Sequence, residues 1–146
     1  MKSRSSVHLA DFGLRYVVSF MFSVMVIYGL YVHIHGDYSP GGGFQGGVIV
    51  ASAVVLYAMT FGDSVTRGVL PCLLTVGAIG LLIYISTGLT STFLGESFLS
   101  YVFRVYDTVT EQKLGVFLVE LGVGLTVCSS VASMYFDFAS WKNDIN

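Results

Sequence analysis

The stretch that decides the fold is HGDYSPGGGFQGG, running from His35 to Gly47 between two long apolar runs. Five of the chain's 17 glycines fall within positions 41–47. A helix-interior glycine costs roughly 1 kcal/mol relative to alanine, so this cluster gives up about 5 kcal/mol of local helix stability. A backbone requirement must outweigh that loss. Counting residues places the requirement inside a membrane. Val48 to Phe61 is 14 residues, or about 21 Å of helix against a hydrocarbon core of about 30 Å. Ser39 suits the N-cap and Pro40 the first helical position, where its missing N–H would be unpaired anyway. A helix from Pro40 to near Phe61 reaches the length needed, which draws the glycines to membrane depth. Gly42 with Gly46, and Gly43 with Gly47, form two overlapping GxxxG pairs, the spacing that lets a neighbouring helix approach backbone to backbone. The other reading is a broken helix start whose free N–H groups face an ion or water. Gly41, Gly43 and Gly46 also fit GxGxxG, but a dinucleotide fingerprint needs a preceding strand, and no Lys-Ser/Thr pair follows to make a P-loop.

The composition agrees with a membrane setting. The chain is 54% hydrophobic and 11% charged, against about 25% charged residues in soluble domains, and its mean hydropathy is +0.77. The expectation is an all-α membrane protein, one domain over residues 1–146, with four transmembrane helices at about 12–34, 41–61, 69–93 and 112–136. The basic N-terminus precedes an apolar run too long for a signal peptide, which reads as an uncleaved first helix. Lys2, Arg4, Arg15, Arg67 and Lys142 fall on the side of the termini, and Arg104 and Lys113 on the other. That bias predicts an N-in, C-in topology. A net charge of -2 without a basic stripe points away from nucleic acid. Cys72 and Cys128 sit in apolar runs without a CxxC and read as small buried hydrophobes.

Smaller signals fill in the chain. Asp11 and Arg15, at i and i+4, suit an interfacial pair. His33 and His35 could share a metal only on an extended backbone, with Asp37 as a third ligand. The plainer reading makes them interfacial residues ending the first helix, so no metal and no cofactor are expected. A short loop, GDSVTRG, is expected to return the chain on the inner side, with Pro71 early in the third span. Gly77, Gly80, Gly88 and Ser91 fall within an arc of about 80° on that helix and mark a packing face. The segment from Glu96 to Lys113 reads as an amphipathic, aromatic surface piece, and Thr108 with Glu111 as a capping box opening the fourth helix.

Glu120 is the one ionisable side chain well inside any span. A charge at that depth costs at least about 2.5 kcal/mol on insertion scales, which marks a candidate functional group. With Gly115 as zero, Gly122, Thr126, Ser129 and Ser133 fall between about -40° and +20°, whereas Glu120 lies at about 140° and Gly124 at about 180°. A stripe of small residues thus faces nearly opposite to the carboxylate. If the stripe packs on one neighbour, Glu120 needs another, and the expectation is a larger assembly. Glu120 is either a proton or cation relay group or a structural carboxylate at an interface.

The residues HGDYSPGGGFQGG, the following VIVASA, and EQKLGVFLVELGVGLTV together resemble the MnhB-like subunits of the multisubunit cation/proton antiporters of the Mrp or Mnh type. The resemblance extends over most of the chain. It implies a small subunit of a hetero-oligomeric complex in the prokaryotic cytoplasmic membrane that exports Na+ in exchange for H+ and supports pH homeostasis. Its partners would be the other subunits and the lipid bilayer. Carried over on the motif are Pro40, Gly41, Gly42, Gly43, Phe44, Gly46 and Gly47, with Glu120 by its setting in VELGV. His35 and Gly36 lead into the motif, and His35 joins Glu120 as an ion or proton path candidate. Related subunits in membrane-bound hydrogenases and similar ferredoxin-driven complexes remain an alternative, as do a homo-oligomeric small transporter or channel and a purely structural scaffold. No nucleophile with its base and no metal-ligand cluster suggests an enzyme.

Overall fold

A computed structural model of the chain describes residues 2–36, 41–93, 99 and 108–145, with side-chain surroundings for these except 2–11, 63–67, 108–112 and 142–145. It contains four helices, α1 (Lys2–Ile34), α2 (Gly43–Phe61), α3 (Asp63–Phe93) and α4 (Thr108–Ile145). Phe12–Ile34, Gly43–Phe61, Gly68–Phe93 and Lys113–Trp141 are long and apolar enough to cross a membrane. The expected all-α, four-span architecture is therefore present.

Its boundaries differ in two instructive places. The second helix starts at Gly43 and not at Pro40. Pro40 and Ser39 lie outside the described residues, but Gly41 and Gly42 are non-helical. Gly42 has φ 98° and ψ -167°, a conformation essentially confined to glycine, so the helix can begin only after it. Gly46 N–H then closes the first turn on the Gly42 carbonyl at 3.0 Å. The expected inner loop is also missing, because α3 starts at Asp63 directly after Gly62. Gly62, at φ 81°, makes the reversal alone and returns its N–H to the Ala58 carbonyl at 2.9 Å. Pro71 consequently lies well inside α3, on an exposed surface. The Asp11–Arg15 pair, Asp37, the Thr108–Glu111 side chains and most of the segment 96–113 lie outside the described residues.

The helices form a row in the order α1, α2, α4, α3. α2 packs on α1 and α4, α4 on α3, and the remaining pairs barely touch. Cross-contacts give the directions. Arg15 lies over the Phe61 ring at 5.6 Å, and Phe22 meets Tyr57 at 5.3 Å, so α1 and α2 are antiparallel. Gly43 abuts Glu120 and Gly47 abuts Gly124, so α2 and α4 run parallel. The termini consequently share one side. Where α2, α3 and α4 converge, Ala58, Leu73, Ala132 and Phe136 form a buried core.

Between α3 and α4 the small residues set the separation. A methyl group on Gly80 would stand 2.8 Å from the Gly122 carbonyl oxygen, and one on Gly122 equally close to that of Gly80. Ser129 Oγ donates to the Leu73 carbonyl across the interface at 2.5 Å. The stripe read from the helical wheel is thus the α3-facing side of α4. Several hydroxyls among the described residues bond within their own helix, as Ser52 Oγ to Val48 O and Thr126 Oγ1 to Gly122 O, 2.8 and 2.7 Å, which suits apolar surroundings.

Gly80→Val should overpack this seam and lower stability by about 1–3 kcal/mol. Gly68, with nothing within 4 Å of an added methyl group, should tolerate alanine and gain up to about 1 kcal/mol. Thermal unfolding in detergent measures both.

Candidate functional site: a carboxylate in a glycine notch

Glu120 projects from the α2-facing side of α4 into a corner built almost wholly of backbone. A methyl group on Gly36, just past the end of α1, would stand 3.0 and 3.1 Å from its two carboxylate oxygens and 2.7 Å from Gly42 Cα. One on Gly42 would stand 2.8 Å from Oε1. One on Gly43 would collide with the Glu120 carbonyl, whose carbon would be 2.8 Å away. Gly36 and Gly42 thereby leave a notch that the carboxylate fills, while Gly43 lets the backbone of α4 approach beside it.

The notch has an electrostatic direction. It lies at the N-terminal end of α2, whose N-cap is a glycine with no side-chain cap. The first turn of a helix presents unpaired N–H groups and the positive end of the helix dipole. Such an end attracts a carboxylate, which is how a half-buried glutamate can be held in an apolar span. Both readings of the glycine cluster therefore describe part of one corner, a close approach and a broken helix start.

The two GxxxG pairs do not serve one contact. Gly43 and Gly47 face α4, where a methyl on Gly47 would lie 2.6 Å from the Gly124 carbonyl oxygen. Gly46 faces α1, 2.8 Å from the Gly29 carbonyl oxygen by the same measure. Gly42 makes the turn, and Gly41 lies against Val32. Phe44 is 62% exposed and points away from the chain's own helices. His35 is exposed, stacked on the Tyr31 ring at 4.2 Å, with Nδ1 3.2 Å from the Tyr31 carbonyl. Pro40 lies outside the described residues. Among the described residues no three His, Cys, Asp or Glu side chains gather as metal ligands.

The second neighbour expected for Glu120 is α2 of the same chain, while α3 covers the small-residue stripe, so the two faces of α4 do not by themselves require another protein. The row arrangement gives α4 a neighbour on each side, which a closed bundle seen on a helical wheel does not suggest. Sequence reasoning weighed His33 only as a metal ligand with His35 or as an interfacial residue ending the first helix. Its ring approaches Gly124, with Nδ1 and Cε1 each 3.2 Å from an added methyl group, and meets Phe117 edge-on at 6.1 Å. Gly29 and His33 are one turn apart and both face Gly46, a convergence visible only once α1 and α2 are packed.

Residues 13–133 match the family described as a domain related to the MnhB subunit of the Na+/H+ antiporter. Two similar proteins are named as Na+/H+ antiporter subunits. That of Bacillus subtilis is 30% identical over 119 residues, 74% of this chain and 83% of the relative. That of Alkalihalophilus pseudofirmus is 31% identical over 143 residues, 90% of this chain and 97% of the relative.

Gly43→Ala should part α2 from α4, because the obstacle is backbone and cannot rotate away. We expect a loss of at least about 2 kcal/mol and poor recovery of folded protein from membranes. Gly13→Ala, in open surroundings, should leave recovery unchanged on the same gel.

Proposed function

The chain belongs to the family of the MnhB subunit of Na+/H+ antiporters, and on that premise we propose that it serves as the MnhB-type component of a multisubunit Na+/H+ antiporter. It is a multi-pass protein of the plasma membrane. In our reading Glu120 is its proton- or cation-carrying group. The observation that supports this is the glycine notch: the carboxylate is held by backbone against the start of α2, where water, a proton or Na+ could approach but no bulky group could. Both relatives bear the antiporter name, so neither a hydrogenase-type complex nor a self-sufficient homo-oligomeric channel is favoured.

The wider complex fits the exposed surfaces. Phe12, Tyr16, Phe20 and Ile27 on α1, and Leu74, Leu82 and Phe93 on α3, are at least 59% exposed. In this reading they meet lipid and the other subunits. In this reading both ends lie in the cytoplasm, in keeping with the excess of lysine and arginine near the termini. α4 then descends from the outer side, and Glu120, seven residues after Lys113, sits about 10 Å along that helix. Reporter fusions at the two ends check this topology, and an external C-terminus would reverse it.

Glu120→Gln keeps the shape and removes the titrating group. Everted vesicles carrying the whole complex should lose Na+-dependent proton movement by at least about ten-fold, with all subunits still co-purifying. A full rate from the assembled variant would reduce Glu120 to a structural residue.

A further inference from the structure

The inner end of α4 carries a stripe that no described helix of this chain covers. Ser130, Met134, Asp137 and Trp141 fall within an arc of about 60° on the helical wheel, and all are exposed. With Ser133 and Phe138 they line an open groove of about 440 Å³. Asp137 comes 24 residues after Lys113, about 36 Å along the helix. In the topology proposed above it therefore lies past the hydrocarbon core, at the level of the inner headgroups. Among the described residues no hydrogen bond or ion pair engages its carboxylate. Arg15, a cation toward the same side, lies instead over the Phe61 ring at the α1–α2 seam, and α1 barely touches α4.

Charge and shape together narrow what fills the groove. The cytoplasmic leaflet is anionic, so a carboxylate turned toward lipid there faces charges of its own sign. Other membrane proteins gather their lysines and arginines at the cytoplasmic ends of their spans, which is the level of Asp137. Met134, Phe138 and Trp141, each more than half exposed, offer large apolar surface beside the acid. We propose that the groove receives the inner end of a transmembrane helix from another antiporter subunit. Apolar side chains of that helix pack on Met134, Phe138 and Trp141, and a lysine or arginine near its end pairs with Asp137. The inference rests on the subunit role and the topology proposed above. An ion pair at such a rim contributes more to the choice and register of the partner than to affinity.

The test uses membranes holding the whole complex, with this chain tagged. Photoreactive benzoylphenylalanine in place of Met134 should crosslink to another subunit, at a peptide with a lysine or arginine within about two helical turns. An adduct with lipid alone, with a second copy of this chain, or with a peptide that has no cation nearby overturns the proposal. Asp137→Lys should lower recovery of the partner subunits on the tag at least about five-fold, because like charges then meet across the groove. The amount of this chain in the membrane should stay unchanged, since the position is exposed. Asp137→Asn, which removes the pair without creating repulsion, should lower recovery less. Full recovery with Asp137→Lys also overturns the proposal. A wild-type chain that brings down no antiporter subunit overturns the subunit reading itself, a failure distinct from that of the groove.

Discussion

The structure depends on two parallel helices meeting at backbone distance. In lipid no hydrophobic force draws one apolar helix to another, so close van der Waals approach has to supply the attraction. α2 and α4 achieve it at Gly43 against the Glu120 carbonyl and at Gly47 against Gly124. The rest of the row is built outward from that seam. α1 adds itself to the other side of α2 through Gly29 and Gly46, and α3 to the other side of α4 through Gly80 and Gly122. Each of the two inner helices therefore carries two glycine faces. The outer helices need one each and leave their remaining surfaces to lipid or to other proteins.

The same seam carries the charge. An ionisable group within a span is tolerated where backbone or water can answer it, and the break before α2 supplies such a place beside Glu120. Gly42 is the pivotal residue, since its φ of 98° both stops the helix from extending toward α1 and removes the side chain that would displace the carboxylate. Packing and electrostatics are consequently inseparable at this corner. A change that widens the seam also takes the helix start away from the acid.

Much of the architecture is legible in the residues. Three apolar runs of spanning length, a fourth that reaches it only with its glycines, the small-residue stripe from Gly122 to Ser133, and the opposed position of Glu120 are all read from the sequence. The order of the helices in the row does not, because Gly43 and Gly47 show that something approaches closely without naming α4 as the neighbour. That is why the second neighbour of Glu120 stays unnamed in the sequence, although it is α2 of the same chain. The start of α2 is misread for a related reason. Ser39 and Pro40 have good capping chemistry, but the conformation at Gly42 prevails, and a positive φ leaves no mark beyond glycine itself. The surroundings of His33 are not legible because they are glycines contributed by three helices, and no local spacing encodes that convergence.

The order of helices in space, α1, α2, α4, α3, differs from their order along the chain, and this sets a sequence of events during synthesis. The α1–α2 hairpin is complete as soon as it leaves the ribosome, but the second face of α2 must wait. α3 emerges next and has almost no contact with α2, so it has to stand aside and leave a berth. Only when the last helix slides between them does the open side of α2 close. Until that moment the glycine face of α2 that α4 covers has no helix against it. The final helix thus brings the acidic group and closes the glycine face of α2 in the same step.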